Sequence, residues 1–121
     1  MEKVIYGILK AILPASPGTV PDKVDNYIIY GSDSLKEHRS LKEHLGLMDH
    51  RFDFDIYCKT YANLMTYFYQ VRDKIKSIEN TTQGAYRIQQ VDIDPSAPEL
   101  WEEEIQKHRK ILTVTISYQE V

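Results

Sequence analysis

The clearest pattern of apolar and polar residues lies in the middle of the chain, from Arg51 to Ile78. Residues 51–58 alternate between the two types, as a half-buried strand does. Thr60 is expected to cap a helix that follows at once, since its hydroxyl can accept a free amide hydrogen of the first turn. Spacings of three and four between apolar residues predict that helix and its buried face. This face consists of Tyr61, Leu64, Met65, Phe68, Val71, Ile75 and Ile78.

The remaining pattern predicts one more helix and three more strands. Prolines 14 and 21 enclose a loop, because proline ends helices and lacks the amide hydrogen of a sheet ladder. Apolar spacing predicts the helix, and β-branched and aromatic residues predict the strands. In chain order, the further elements are a helix at 2–13, a loop at 14–21, strands at 26–31 and 85–94, a loop at 95–104 and a strand at 108–118.

In two of these strands the pattern also predicts which face is apolar or where the strand is irregular. In the last strand Leu112, Val114, Ile116 and Tyr118 share one face, and the residues between them share the other. In the strand at 85–94 the apolar positions change parity between Ile88 and Val91, which predicts a β-bulge.

This order of elements is helix, strand, strand, helix, strand, strand. It predicts an α+β fold of the αββαββ type, with two β-hairpins forming one sheet and the helices packed on one face. No linker interrupts the pattern, so we expect one domain over residues 1–121.

The segment at 32–49 is highly charged and contains Leu-Lys-Glu-His twice, six residues apart. A spacing of six fits neither one helical face nor a repeat architecture, so the repetition is interpreted as coincidence. The segment is compatible with a helical turn or with a long hairpin excursion. Its charge predicts exposure until a partner covers it.

Composition narrows the possible functions. The formal net charge is −3, with 27% charged residues, which argues against a dedicated nucleic-acid binder. Cys58 is the single cysteine, so an intrachain disulfide is excluded. Neither a secretion signal nor a run of about 20 apolar residues is present, so a soluble, intracellular protein without membrane contact is expected. Nine tyrosines against three phenylalanines favour a contact surface, since tyrosine is common where a core meets water or a partner.

Few residues in the sequence are candidates for catalysis or metal binding. His38, His44 and His50 are evenly spaced, but nothing fixes them in the tetrahedral geometry of a zinc site. Two pairs of aspartates, 53 with 55 and 92 with 94, each project from one strand face. Such pairs can serve acid–base or magnesium chemistry, yet the polar face of a half-exposed sheet explains them more simply. No phosphate-binding loop or nucleophile motif occurs. We therefore expect no enzyme, no cofactor and no metal.

An acidic segment surrounds Trp101, the single tryptophan, with Glu99, Glu102, Glu103 and Glu104. Trp101 is compatible with two roles, capping the edge of the sheet or anchoring a partner subunit. A negatively charged loop that faces a channel would also repel passing DNA.

Taken over nearly its full length, the chain resembles the phage tail terminator family, also called tail completion or tail-to-head joining proteins of long-tailed phages. The resemblance rests on patterned positions rather than on a catalytic motif. The matching residues are the opening helix at 2–9, the strand at 27–30, the strand-to-helix junction at 51–57 and 60–62, Val71 and Arg72, Ile88, and the closing strand at 109–118. The chain departs from the family at 32–49 and in its glutamate-rich segment.

The resemblance implies a structural protein of a phage or prophage. Such proteins form a hexameric ring on the tail tube, end tail polymerisation and present a docking surface to the head connector. The implied partners are other copies of the chain, the tail tube protein and the head-tail connector protein, with DNA passing through the ring without specific binding. The implied location is the virion tail, after assembly in the host cytoplasm.

The two charged segments are the expected contact regions between ring subunits. The residues that we expect to take part are Leu35, His38, Leu41, His44, Glu99, Trp101, Glu102 and Glu103. Two alternatives remain open. One is a ferredoxin-like ligand-sensing or protein-interaction module, which would form a dimer. The other is a divalent-metal enzyme that uses the paired aspartates.

Overall fold

A computed structural model describes residues 1–18, 24–37 and 47–120. Within these residues the chain forms two helices and seven strands. In chain order they are α1 (Glu2–Lys10), β1 (Ala15–Pro17), β2 (Tyr27–Glu37), β3 (Leu47–Cys58), α2 (Tyr61–Lys76), β4 (Thr82–Gln83), β5 (Tyr86–Ile93), β6 (Glu99–Glu102) and β7 (Lys107–Glu120).

The long strand β7 is central to the sheet. The strand order is β1-β2-β3-β7-β5-β4, and β6 also pairs with β7. β3 lies antiparallel to β7 along its length, from Leu47 opposite Gln119 to Cys58 opposite His108. On the other side of β7, β6 pairs with its first residues and β5 with its last. Only β1 and β2 pair in parallel among the described strands.

The helices cover one face of this sheet. Alternation places Phe52, Phe54 and Ile56 of β3 on that face, all fully buried. They join one hydrophobic core with Ile5 and Leu9 of α1, with Leu112, Val114 and Ile116 of β7, and with the α2 residues Leu64, Phe68, Val71 and Ile75. Burial of these side chains is the main stabilising term of the fold.

Several predictions from the sequence are confirmed. Thr60 is the N-cap of α2, and its hydroxyl oxygen accepts the N–H of Asn63 at 3.2 Å. The change of parity in β5 is a register shift between Ile88 and Gln90. Residues 51–58, predicted as a half-buried strand, lie in β3, which ends at the fully buried Cys58. The four apolar residues of β7 from Leu112 to Tyr118 all face the core.

The predicted αββαββ order and the two-hairpin layout are wrong, although the fold is α+β. β1, β4 and β6 were not predicted, and β5 and β7 do not form a hairpin because β6 intervenes and pairs with β7. β1 lies within the predicted loop at 14–21, where Ile28 N–H donates to the Pro14 carbonyl at 2.9 Å. α1 ends at Lys10 rather than at residue 13, since Leu13 precedes a proline and is disfavoured in helical conformation.

The charged segment at 32–49 is partly strand. β2 continues to Glu37 and β3 begins at Leu47, with Leu35 opposite His50 across the pair. Residues 38–46 lie outside the described part. Of the two interpretations, the hairpin agrees with these flanking strands.

Candidate interaction site

The face of the sheet opposite the helices is polar. Asp53 of β3 lies opposite Thr113 of β7, and the threonine hydroxyl donates to an Asp53 carboxylate oxygen at 2.7 Å. Ser117 lies opposite Asp49 and donates its hydroxyl to that carboxylate in the same way. These cross-strand pairs hold β3 and β7 together on the side that lacks helices.

Arg109 joins three strands on this polar face. Its guanidinium donates to Asp55 at 2.5 Å and to Glu102 at 2.9 Å, and it lies 5.6 Å from the centre of the Tyr57 ring. Burial alone would lower the pKa of Arg109, but its bonds to Glu102 and Asp55 outweigh burial and raise the pKa. These two ion pairs connect β7 to β3 and to β6.

An open concavity of about 480 Å³ lies over the polar face. Asp53, Asp55 and Asp94 line it, and Asp92 lines a neighbouring depression with Asp94. The two aspartate pairs of the sequence therefore share one face. Among the described residues no group of three or more His, Cys, Asp or Glu side chains is arranged to hold a metal ion, and hydrogen bonds to Thr113, Arg109, Gln90 and Ser96 engage the four carboxylates.

On the helix-covered side, β6 is fixed by a buried lysine. Lys110 is 7% exposed, and its ammonium donates to Glu99 at 2.8 Å and to the Ala97 carbonyl at 3.2 Å. The ammonium also lies 4.7 Å from the centre of the Phe68 ring. The hydrogen bond from Lys110 holds the pKa of Glu99 below its ordinary value. Glu99 thus neutralises a charge at the rim of the core.

Four large apolar side chains are exposed at the β6–β7 hairpin and at the start of α2. Tyr61, Leu100, Trp101 and Ile105 are each 44–49% exposed. Trp101 lies opposite His108, with 4.8 Å between the ring centres, and Tyr61 contacts His108 edge-on. Leu100 lies on the polar face, whereas Trp101 and Tyr61 lie together around His108, and large apolar side chains exposed together commonly mark a contact surface.

A groove lies at the opposite edge of the sheet, between α1 and β1. Its volume is about 440 Å³, and it is lined by Lys3, Tyr6, Pro17 and Tyr30 among others. The rings of Tyr6 and Tyr30 lie 6.3 Å apart. The Lys10 ammonium lies 5.7 Å from the centre of the Tyr6 ring, which is itself partly exposed.

The eight residues predicted to form contacts fall into four groups. His38, Leu41 and His44 lie outside the described part of the chain, and Leu35 lies in β2. Glu99 and Glu102 form ion pairs with Lys110 and Arg109 within the chain. Trp101 and Glu103 are exposed. The acidic segment is therefore not a uniformly free negative loop, since two of its glutamates hold β6 in place.

His50, the third evenly spaced histidine, is buried rather than exposed in a loop. It is 6% exposed, and its ring stacks on Phe52 with 4.1 Å between centres. Burial lowers the pKa of His50, so the neutral ring is favoured.

The sequence placed Tyr61 on the buried face of α2, which is wrong, because its side chain is 49% exposed at the first residue of the helix. Lys110, Leu100 and Ile105 were not predicted as site residues. A signal for Lys110 was present, because it falls on the same parity as the apolar residues Leu112 and Val114. A cation on the buried side of a strand implies a nearby carboxylate. Nothing comparable marked the exposed apolar residues.

Two of the solved structures with a similar fold come from multi-subunit particles. A chain of the virion of a native gene transfer agent particle superimposes with a TM-score of 0.64 at 13% identity, covering 95% of this chain and 84% of that one. The second is the sheath/tube terminator of the extracellular contractile injection system PVC in its extended state. It gives a TM-score of 0.51 at 13% identity and covers 99% of this chain and 55% of the terminator.

The fold is tail terminator-like. The resemblance predicted from the sequence is thus confirmed at the level of fold. No protein-family model and no curated protein sequence matches the chain. Neither helix in the described residues is long and apolar enough to cross a membrane.

Proposed function

We propose that this protein is a structural tail protein of a phage or prophage that forms a hexameric ring on the tail tube. In this role it ends tail polymerisation and presents a surface to the head connector. The observation that carries the proposal is the terminator-like fold, which matches a terminator of another tail-like particle over 99% of this chain. The role needs interfaces and no catalysis, and residues 1–121 act as a single domain in it.

The distribution of exposed groups supports a ring. A closed ring needs two different surfaces on each subunit, because one face of a subunit meets another face of the next. The protein offers the exposed Trp101 and Tyr61 at one edge of the sheet and an aromatic groove at β1. The ferredoxin-like alternative would instead give a dimer that repeats a single surface.

We further propose that the polar face of the sheet faces the channel of the ring. Aspartates of β3 and β5 line its concavity, and fixed negative charge keeps DNA from adhering while it passes. Specific DNA binding is not part of the role, in agreement with the net charge of −3.

Of the contact residues expected from the sequence, Trp101 and Glu103 are proposed to touch a neighbouring subunit directly. Glu99 and Glu102 are proposed to act by holding the hairpin in shape. Leu35, near the end of β2, and His38, Leu41 and His44, between β2 and β3, remain proposed contacts. The tail tube and the head connector are the proposed further partners, in the virion tail and, during assembly, in the host cytoplasm.

The decisive experiment measures both assembly and tail length. Light scattering over a concentration series, alone and with tail tubes purified from the same particle, is expected to show a hexamer. Tails assembled without the protein are expected to be longer and variable in length by electron microscopy. A strict dimer, or tails of normal length without the protein, would contradict the proposal.

A further inference from the structure

The two exposed surfaces lie at opposite edges of one set of five strands. Across the sheet, Ala15 of β1 is followed by Ile28, Ile56, Lys110 and finally Glu99 of β6, each paired with the next. Four strand spacings place the two edges about 19 Å apart. β1 and β6 therefore expose two different edges of this set of strands, and a head-to-tail contact needs two different surfaces on each subunit.

Trp101 lies on the outer edge of β6. Ile111 donates its N–H to the Pro98 carbonyl at 3.1 Å, so these residues form a hydrogen-bonded pair. Because such pairs alternate in an antiparallel ladder, Leu100 and Arg109 form the next one. The backbone N–H and C=O of Trp101 then point away from β7. Its side chain lies on the helix-covered side, as does that of its cross-strand partner His108.

The groove at β1 is on this same side of the sheet. Tyr30 lies opposite Phe54 and shares its core-facing side, and Tyr6 comes from α1. Pro17 has no N–H to offer a further strand, which limits backbone pairing along β1. A partner is therefore held there by its side chains rather than by a continued ladder.

Charge is complementary between the two surfaces. Glu103 and Glu104 follow Trp101 and are exposed. Lys3 lines the groove, and Lys10 lies beside the Tyr6 ring. Glu2 also lines the groove, so the lysines exceed the carboxylates on α1 by one. An indole with an acidic flank suits an aromatic groove of about 440 Å³ bordered by lysines.

We propose that Trp101 of one copy inserts into the groove between α1 and β1 of the next copy, with Glu103 beside Lys3. This contact rests on the proposed ring and specifies how its subunits are joined. It is heterologous, so each subunit gives a tryptophan to one neighbour and receives one from the other. A buried aromatic anchor of this kind dominates the affinity of many interfaces.

Disulfide trapping tests the contact even when association is weak. Lys3→Cys and Glu103→Cys change exposed residues outside the core. The native thiol does not compete, since Cys58 is fully buried and burial raises its pKa to about 11. The two variants are mixed in a glutathione redox buffer and separated on a non-reducing gel. Lys74→Cys, exposed on α2, is the matched control partner for Glu103→Cys.

A heterodimer of Lys3→Cys with Glu103→Cys is expected, at least tenfold above the product with the control. The double variant should give a ladder of linked subunits. A product from Glu103→Cys alone would show a two-fold contact and overturn the proposal, as would no product above the control. A trapped contact without a hexamer would refute the terminator ring but not the interface, and a hexamer without trapping would refute only the interface.

Discussion

The ammonium nitrogen of Lys110 lies 2.8 Å from a carboxylate oxygen of Glu99, and this pair fastens β6 to β7 at the rim of the core. The lysine side chain is 9% exposed, whereas that of Glu99 is 41% exposed. The lysine is therefore the partner that depends on the contact. Removing the carboxylate leaves a buried charge unpaired, and this costs more than removing the charge itself.

Glu99→Gln is expected to lower the free energy of unfolding, measured by urea denaturation. Lys110→Met should stay within about 1 kcal/mol of the wild type or exceed it, because an apolar side chain of similar shape fits against Phe68. In the Lys110→Met background, Glu99→Gln should cost nothing further. An equal cost of Glu99→Gln in both backgrounds would disprove the coupling.

Thr60→Ala removes the N-cap of α2, and the hydroxyl no longer accepts the Asn63 N–H. The expected loss is about 1 kcal/mol of unfolding free energy. Thr66→Ala is the matched control, since that hydroxyl only donates to the Ala62 carbonyl within the helix. Its effect should lie within about 0.5 kcal/mol, and equal effects of both substitutions would refute the capping role.

His50 makes stability depend on pH. Its pKa is lowered by burial in the folded protein and returns to about 6.5 on unfolding. Just below pH 6.5 the unfolded chain therefore binds more protons, and stability falls as the pH falls from 7.5 to 5.5. The slope is at most about 1.4 kcal/mol per pH unit for one group.

Urea denaturation at several pH values checks this dependence. His50→Gln should remove its contribution to the slope, and His108→Gln, in which His50 remains, should retain it. A slope that persists unchanged in His50→Gln would show that other groups are responsible.

Cys58 is expected to resist thiol reagents in the folded protein. It is fully buried, and burial raises its pKa to about 11, so little thiolate forms at pH 8. Labelling by a chromogenic disulfide reagent should follow unfolding in urea. Lys74→Cys should add one thiol that reacts at once without urea, and rapid labelling of Cys58 in native wild type would contradict its burial.

Trp101→Ala should separate assembly from folding. The side chain is 48% exposed, so the free energy of unfolding should change by less than about 1 kcal/mol. Subunit association should weaken by about 2 kcal/mol or more, roughly 30-fold. Leu100→Ala is the matched control because Leu100 lies on the polar face, opposite Arg109. A larger effect of Leu100→Ala on assembly would place the contact on that face.

Elements with an unbroken local pattern could be predicted well. α2 and β7 were predicted to within about two residues, because their apolar periods of 3.6 and 2 continue along the whole element. β1 could not be predicted, since a three-residue strand that ends in proline has no local signal. β1 forms because residues Ala15–Pro17 pair with β2 in the folded protein. Likewise β6 has an acidic sequence, and its pairing depends on Lys110 and Arg109 of β7.

The sequence by itself determined which apolar residues of β3 and β7 are buried, where α2 begins and where β5 is bulged. These features follow from side-chain periodicity and from groups a few residues apart. Only the tertiary structure decided that β3 lies beside β7 and that Glu99 and Glu102 form ion pairs with residues of β7. It also decided that Trp101 and the groove beside Tyr6 lie at opposite edges of the sheet. Such pairings join residues far apart in the chain, and their register is set by the packing of the whole sheet rather than by local sequence.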